Sequence, residues 1–179
     1  TTMWLFWYFK ESNPLKVVII DKTVLNPDGI EHKSLFWILN HEKFIKSDSS
    51  SYSRFYDYYG FFPKENHEYV IKDFEQINDS IKINNLVHQN DLIYYADTYG
   101  IYRNEWYDLK NKSEHSNLIY GGLSEQEYIL LKEFKKEDKL VIGTDIKTVE
   151  YGFLIGMPVC KSMGSGLYEV RSNISDKRI

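Results

Sequence analysis

The chain has 179 residues, 42% hydrophobic and 27% charged, the balance of one soluble globular domain with a real core. Its net charge is −4, but residues 146–179 hold five Lys/Arg against three acids, so that tail is +2 and the preceding part −6. An acidic main body argues against non-specific nucleic-acid binding, because phosphate repels it. A single cysteine, Cys160, excludes an internal disulfide and a multi-cysteine zinc site.

The opening residues Met3-Trp4-Leu5-Phe6-Trp7-Tyr8-Phe9 are apolar but far short of the ~20 needed to span a bilayer. They carry no basic n-region or cleavage site, so they do not read as a signal peptide. Trp4, Trp7 and Tyr8 have the character of an aromatic belt at a membrane exit. Residues 1–11 are therefore expected to be the last turns of a membrane anchor.

Lys16-Val17-Val18-Ile19-Ile20-Asp21 is a β-branched run ending in an acid, and it predicts a strand. Asn26-Pro27-Asp28-Gly29 is a turn. Glu31 to His41 predicts a helix whose apolar face is Leu35, Phe36, Ile38 and Leu39. Residues 46–66, with a serine run and a dense aromatic stretch, are expected to form one long loop. Glu68 to Phe74 reads as a strand nearer an edge, and Ile77 to His88 as a weak, polar helix.

Leu92-Ile93-Tyr94-Tyr95-Ala96 is a short apolar run of the kind buried on both faces of a parallel sheet. It ends in Asp97-Thr98-Tyr99-Gly100. Residues 100–120 are expected to form a second loop. Ser124 with Glu127 is a capping box opening a helix, with Tyr128, Leu130, Leu131 and Phe134 as its buried stripe. Lys139 to Thr144 predicts a third strong strand, followed by Asp145.

Three apolar β-runs separated by helical patterns call for an open, mostly parallel α/β sheet with flanking helices. Right-handed crossovers then bring the carboxyl ends of the strands to one rim, the edge where ligands bind in such sheets. Asp21, Asp97 and Asp145 are expected to gather there, with the loops at 46–66 and 100–120 folding over them. Asp21, His32, Asp97, Tyr99 and Asp145 are the candidate ligand-binding residues. The aspartates have the oxygen chemistry a divalent cation wants, but an Asp after a strand commonly caps the next helix, so no metal site is assigned.

Other chemistry finds little purchase. Gly29 stands alone, so there is no glycine-rich phosphate loop. His32, His41, His67, His88 and His115 have no metal-ligand spacing, and Gly164-Ser165-Gly166 is not a nucleophile elbow. No cofactor is implied.

Asp21-Lys22-Thr23, Glu31-His32-Lys33-Ser34, Asp57-Tyr58-Tyr59-Gly60-Phe61-Phe62-Pro63 and Asp97-Thr98-Tyr99-Gly100 together carry a resemblance. Residues 1–144 resemble an uncharacterised group of bacterial membrane-anchored proteins whose soluble part looks like a class I glutamine amidotransferase-type α/β domain. The resemblance implies an amidotransferase- or flavodoxin-like sheet and a membrane setting. It does not imply amidotransferase chemistry, since that family's cysteine nucleophile has no counterpart here.

The tail differs. Glu150-Tyr151-Gly152, Gly156-Met157-Pro158-Val159-Cys160-Lys161 and Gly166-Leu167-Tyr168-Glu169-Val170-Arg171 are similar to the middle of RelE/HigB-type toxins, ribosome-associated mRNA endonucleases. In that resemblance Lys161 and Arg171 match basic positions that hold RNA and stabilise the phosphate in the transition state, a task suited to a guanidinium. The toxin's remaining strands are missing, so residues 147–179 are expected to be a partial segment, a short hairpin-like appendage to an α/β domain at 12–146.

The functional expectation is a non-catalytic ligand-binding or interaction domain of a membrane-tethered protein, with a small ligand or protein as partner. The alternative is an mRNA endonuclease toxin in the cytoplasm, with RNA and the ribosome as partners and Lys161 and Arg171 as its catalytic residues.

Overall fold

The computed structural model describes residues 2–74, 80–107, 116–143, 161–163 and 167–169. The chain forms α1 (Thr2–Phe9), β1 (Asn13–Pro14), β2 (Val17–Asp21), α2 (Lys33–His41), β3 (Phe44–Ile45), β4 (Tyr59–Pro63), β5 (Tyr69–Lys72), α3 (Ser80–Gln89), β6 (Leu92–Asp97), β7 (Ile101–Tyr102), α4 (Arg103–Trp106), β8 (Leu118–Tyr120), α5 (Glu125–Lys136), β9 (Leu140–Gly143), β10 (Lys161–Met163) and β11 (Leu167–Glu169).

The apolar runs around Val17, Leu92 and Leu140 pair side by side, as their β-branched and aromatic content dictates. β6 lies between β2 and β9, parallel to both. A fourth parallel strand, β4, joins β2 on its other side, and β5 closes that edge antiparallel to β4. The whole sheet has the order β10-β11-β9-β6-β2-β4-β5. By appearance along the chain its parallel strands run second, first, third, fourth, so the order reverses between β2 and β6. The backbone of β11 meets β9 antiparallel at Glu169 and Ile142, and β10 pairs with β11.

Helices cover both faces. Val18, Ile20, Ile93 and Tyr95 pack against Ile83 and Val87 of α3 and Leu130 and Phe134 of α5. Ile19 and Val24 pack on the other face against Phe36 and Leu39 of α2, with Tyr52 and Tyr58. This is the mixed α/β sheet with flanking helices expected from the sequence.

Two stretches differ from expectation. Residues 46–66 are not one loop, because Tyr59–Pro63 is a sheet strand whose Phe61 is fully buried. Aromatic residues beside a glycine obscured it. Its Gly60 has φ +147°, and a Cβ there would stand 1.6 Å from the Asp21 carbonyl oxygen. The strands are joined at a point where no side chain fits. Residues 100–120 are likewise not a plain loop: β7 and β8 pair antiparallel, and Ile101, Trp106 and Tyr120 form a small third core around Phe61. In α2, Phe36 and Leu39 are buried as expected, but Ile38 is exposed and Leu35 only half-buried.

α1 is a helix, and Trp7 ties it down. Its indole N–H donates to the His41 carbonyl and its ring stacks on His41, which also stacks on Trp37. Lys43 donates to the carbonyls of Tyr8 and Lys10, and Lys10 pairs with Glu42. The remaining large side chains, Trp4, Leu5, Phe6, Tyr8 and Phe9, are exposed, Phe6 at 79%. No helix among the described residues is long and apolar enough to cross a membrane.

Candidate functional site

Side chains alternate across a strand. Along β2, Val17, Ile19 and Asp21 face α2, whereas Val18 and Ile20 face α3 and α5. Lys22, just past the strand's end, continues that second row. The Asp-Lys pair that closes β2 therefore sends one charge into each face of the sheet, and both side chains are fully buried.

On the α2 face, the Asp21 carboxylate accepts from the Thr23 backbone N–H at 3.0 Å and hydroxyl at 2.9 Å through Oδ1. Its Oδ2 lies 2.7 Å from His32 Nδ1. His32 precedes α2 as its N-cap, yet its ring makes no capping bond. It packs between Phe36 and Tyr58, with ring centroids 5.1 and 4.6 Å away. His32 Nε2 is 2.9 Å from the Arg54 carbonyl. A carbonyl only accepts, so Nε2 carries a proton, and a further proton is shared along the Nδ1–Oδ2 contact. Gly29 closes the back of the ring: at φ +52°, a Cβ there would lie 2.6 Å from His32 Nε2. Burial pushes the Tyr58 hydroxyl far above its ordinary range, and the Asp21 carboxylate adds to the effect.

On the opposite face, Lys22 Nζ donates to Glu127 Oε2 and to the Gly122 carbonyl, each at 2.8 Å. It stands 4.9 Å from the centre of the Tyr120 ring. Glu127 belongs to the capping box of α5: its Oε2 also accepts from the Ser124 N–H at 2.9 Å, and its own N–H donates to Ser124 Oγ at 3.2 Å. Among the described residues its Oε1 has no hydrogen-bond partner. Burial, with help from Glu127, raises the Tyr95 hydroxyl well above its usual pKa.

The second expected carboxylate sits next door. Asp97 pairs in register with Asp21, and its carbonyl accepts from the Lys22 N–H at 3.0 Å. Its Oδ1 accepts from the Tyr99 N–H at 2.6 Å. Tyr99 is partly exposed, its ring 5.2 Å from that of Tyr102. The Thr98 carbonyl accepts from the Gly122 N–H at 2.8 Å, which holds the loop after β6 against the loop before α5.

The structure thus brings Asp21, His32 and Asp97 to one rim with Tyr99 nearby. Asp145 and Arg171 lie outside the described residues, and Lys161 is described only as the backbone start of β10. No group of three or more His, Cys, Asp or Glu side chains among the described residues is placed to hold a metal ion. Asp21, expected at a ligand-binding rim, is fully buried there and closed off by His32 and the Thr23 turn. A buried Asp–His pair is the arrangement that activates a nucleophile in many enzymes. Here the nitrogen that would accept the proton is occupied by the Arg54 carbonyl.

No protein-family model matches this chain, and neither a curated protein nor a solved structure does.

Two residues of the site, Lys22 and Glu127, were missed by the sequence reading. Lys22 was legible in principle, because it continues the row of Val18 and Ile20 onto a buried face. Glu127 was read for its capping role alone. A cleft of about 240 Å³ opens at the other end of the sheet, near the start of β2, and Lys16, Lys46, Asp57, Tyr59 and Lys72 line part of it.

Proposed function

We propose that this chain is a non-catalytic binding module, an α/β domain whose charged strand ends are structural and whose recognition surfaces lie elsewhere. One observation carries the reading: Asp21, Lys22, His32 and Glu127 are all buried, and each charge is met by another within the protein. A general acid, base or nucleophile must come within hydrogen-bond reach of a substrate. These groups are buried and bond one another and the loops packed around them. The strand order, with its reversal between β2 and β6, supports the flavodoxin- or amidotransferase-like architecture inferred from the sequence.

The membrane setting is part of the same proposal. α1 presents apolar side chains on every side, and a helix of that kind is at home in a protein core or in lipid. Trp4, Phe6, Tyr8 and Phe9 are outside the core, and Trp and Tyr favour the bilayer interface. Co-sedimentation with phosphatidylcholine vesicles tests this. Binding that is lost in Trp4→Ser/Phe6→Ser supports it, and equal recovery of both proteins in the supernatant sinks it.

The catalytic question is tested by assaying the chain against ester, phosphate monoester and glycoside substrates, beside Asp21→Asn and Glu127→Gln. The module gives no turnover. Turnover that either folded variant abolishes overturns the reading.

A further inference from the structure

β4 starts late. It meets β2 only at Ile20 and Asp21, so the first residues of β2 have no strand on that side among the described residues. Tyr52 fills part of the gap: the Val17 N–H donates to its hydroxyl at 2.9 Å, and that hydroxyl donates to the Leu15 carbonyl at 2.5 Å. What is left is the cleft, with Tyr59 and Leu86 among its apolar walls and Lys16, Lys46 and Lys72 as its cations.

The charges of these lysines are not equally met. Lys46 holds Asp57 with both carboxylate oxygens, at 3.0 and 2.9 Å, and Asp57 also accepts from the Ser53 N–H. Two further acids stand near Tyr52, and both are engaged: Asp48 accepts from Ser50, and Asp91 from the Lys16 backbone N–H. Neither Lys16 nor Lys72 has a carboxylate within ion-pair distance among the described residues. Lys72 Nζ lies 4.6 Å from the Tyr59 ring centre and makes a long 3.4 Å contact to the Tyr56 carbonyl. Loss of water lowers the Lys72 pKa, the nearby Asp57 charge opposing and Lys46 assisting. At the end of α3, Lys139 donates to the carbonyls of Val87, His88 and Asn90, so a cation already meets part of that helix's negative end.

We propose that this cleft binds a small phosphate monoester, with Lys16 and Lys72 meeting the phosphate and Tyr59 and Leu86 packing on its organic part. Counting the lining charges, three lysines and Asp57, the site is +2, and a phosphate monoester carries about −1.5 to −2 at pH 7. Lysine serves phosphate as a point charge, with no guanidinium geometry required. The volume is below the ~300 Å³ at which drug-sized pockets begin, so the organic part is no larger than one ring or a short chain.

The assignment rests on the binding-module reading, and one experiment separates their failures. The full chain is titrated at low salt with inorganic phosphate and with phenyl phosphate, followed by amide NMR, while phenol release is measured in parallel. Saturable shifts centred on Val17, Tyr59 and Lys72 are expected, with phenyl phosphate the tighter ligand. Lys72→Met and Lys16→Gln each weaken it by about tenfold, and Lys72→Arg keeps it. Absence of saturation, or saturable binding unchanged in folded Lys72→Met and Lys16→Gln, overturns the site and leaves the module reading intact. Phenol release lost in those variants would do the reverse.

Discussion

The two ends of the parallel strands treat charge in opposite ways. At the carboxyl ends Asp21, His32, Lys22 and Glu127 are buried and meet one another. At the amino ends Lys16 and Lys72 border an open cleft, and among the described residues neither has a carboxylate within ion-pair distance. Ligands in open α/β sheets normally enter at the carboxyl ends, where the strand order reverses. Here that place is occupied by the Lys22 side chain, and the Lys22 N–H bonds β6 to β2 across it. A charge at a strand end is a site only when water or a ligand can reach it. The contrast suggests that β2 ends in two charges to fix which loops lie over each face.

That contrast breaks most visibly at Gly60. A Cβ would stand 1.6 Å from the Asp21 carbonyl, a backbone atom that cannot turn aside. Gly60→Ala is expected to cost more than about 4 kcal/mol or to yield no folded protein. Urea unfolding and soluble yield measure it, and a variant of native stability would mean that β2 and β4 are not joined there.

Next in size is the Lys22–Glu127 pair. Removing one member of a buried pair strands the other, at a cost of about 3–5 kcal/mol. Lys22→Met and Glu127→Gln should each lie in that range by urea denaturation. Their double variant should lose less than the two losses added, because neither charge is then left alone. Full additivity would show that the pair does not act as a unit.

How far this could be read beforehand depends on the residues. β2, β6 and β9 were legible because their apolar runs are short and rich in β-formers, and α5 because Ser124 and Glu127 spell a capping box. β4 was not, since Tyr58, Tyr59, Phe61 and Phe62 give no alternation and Gly60 reads as a breaker. Its fit to β2 is a tertiary fact. Asp21 and His32 were both singled out, but their sealing was invisible because the cap on His32 is a backbone carbonyl from Arg54, 22 residues away. The cleft was unreadable for a similar reason: Lys16, Lys46 and Lys72 come from three separate segments.

The tyrosines give a smaller test, in pH. Tyr52, Tyr58, Tyr59, Tyr94 and Tyr95 all have pKa values raised by burial above the ordinary value of about 10. A raised value in the folded state means the unfolded chain ionises first. Stability is therefore held below pH ~10 and lost as pH climbs through the raised values. Tyrosinate absorbance at 295 nm should lag behind that of free tyrosine and then rise together with loss of folded structure. Early, gradual ionisation of all fifteen tyrosines would contradict the burial of the five.

The smallest effect sharpens the comparison most, because it repeats one substitution at the other end of the sheet. Lys72→Met keeps the length of the side chain over Tyr59 and removes a charge that no carboxylate pairs among the described residues. The depressed pKa of Lys72 means that the folded state disfavours its charge, so stability should rise with pH between that lowered value and the ordinary 10.5. Replacing it should leave stability at pH 7 within about 0.5 kcal/mol, the range of surface changes that break no network. Lys22→Met and Lys72→Met, compared in one urea series, separate a lysine that holds the fold from a lysine kept for something outside it. Equal losses would mean that Lys72 is structural too, and the open end of the sheet would then need another explanation for its charge.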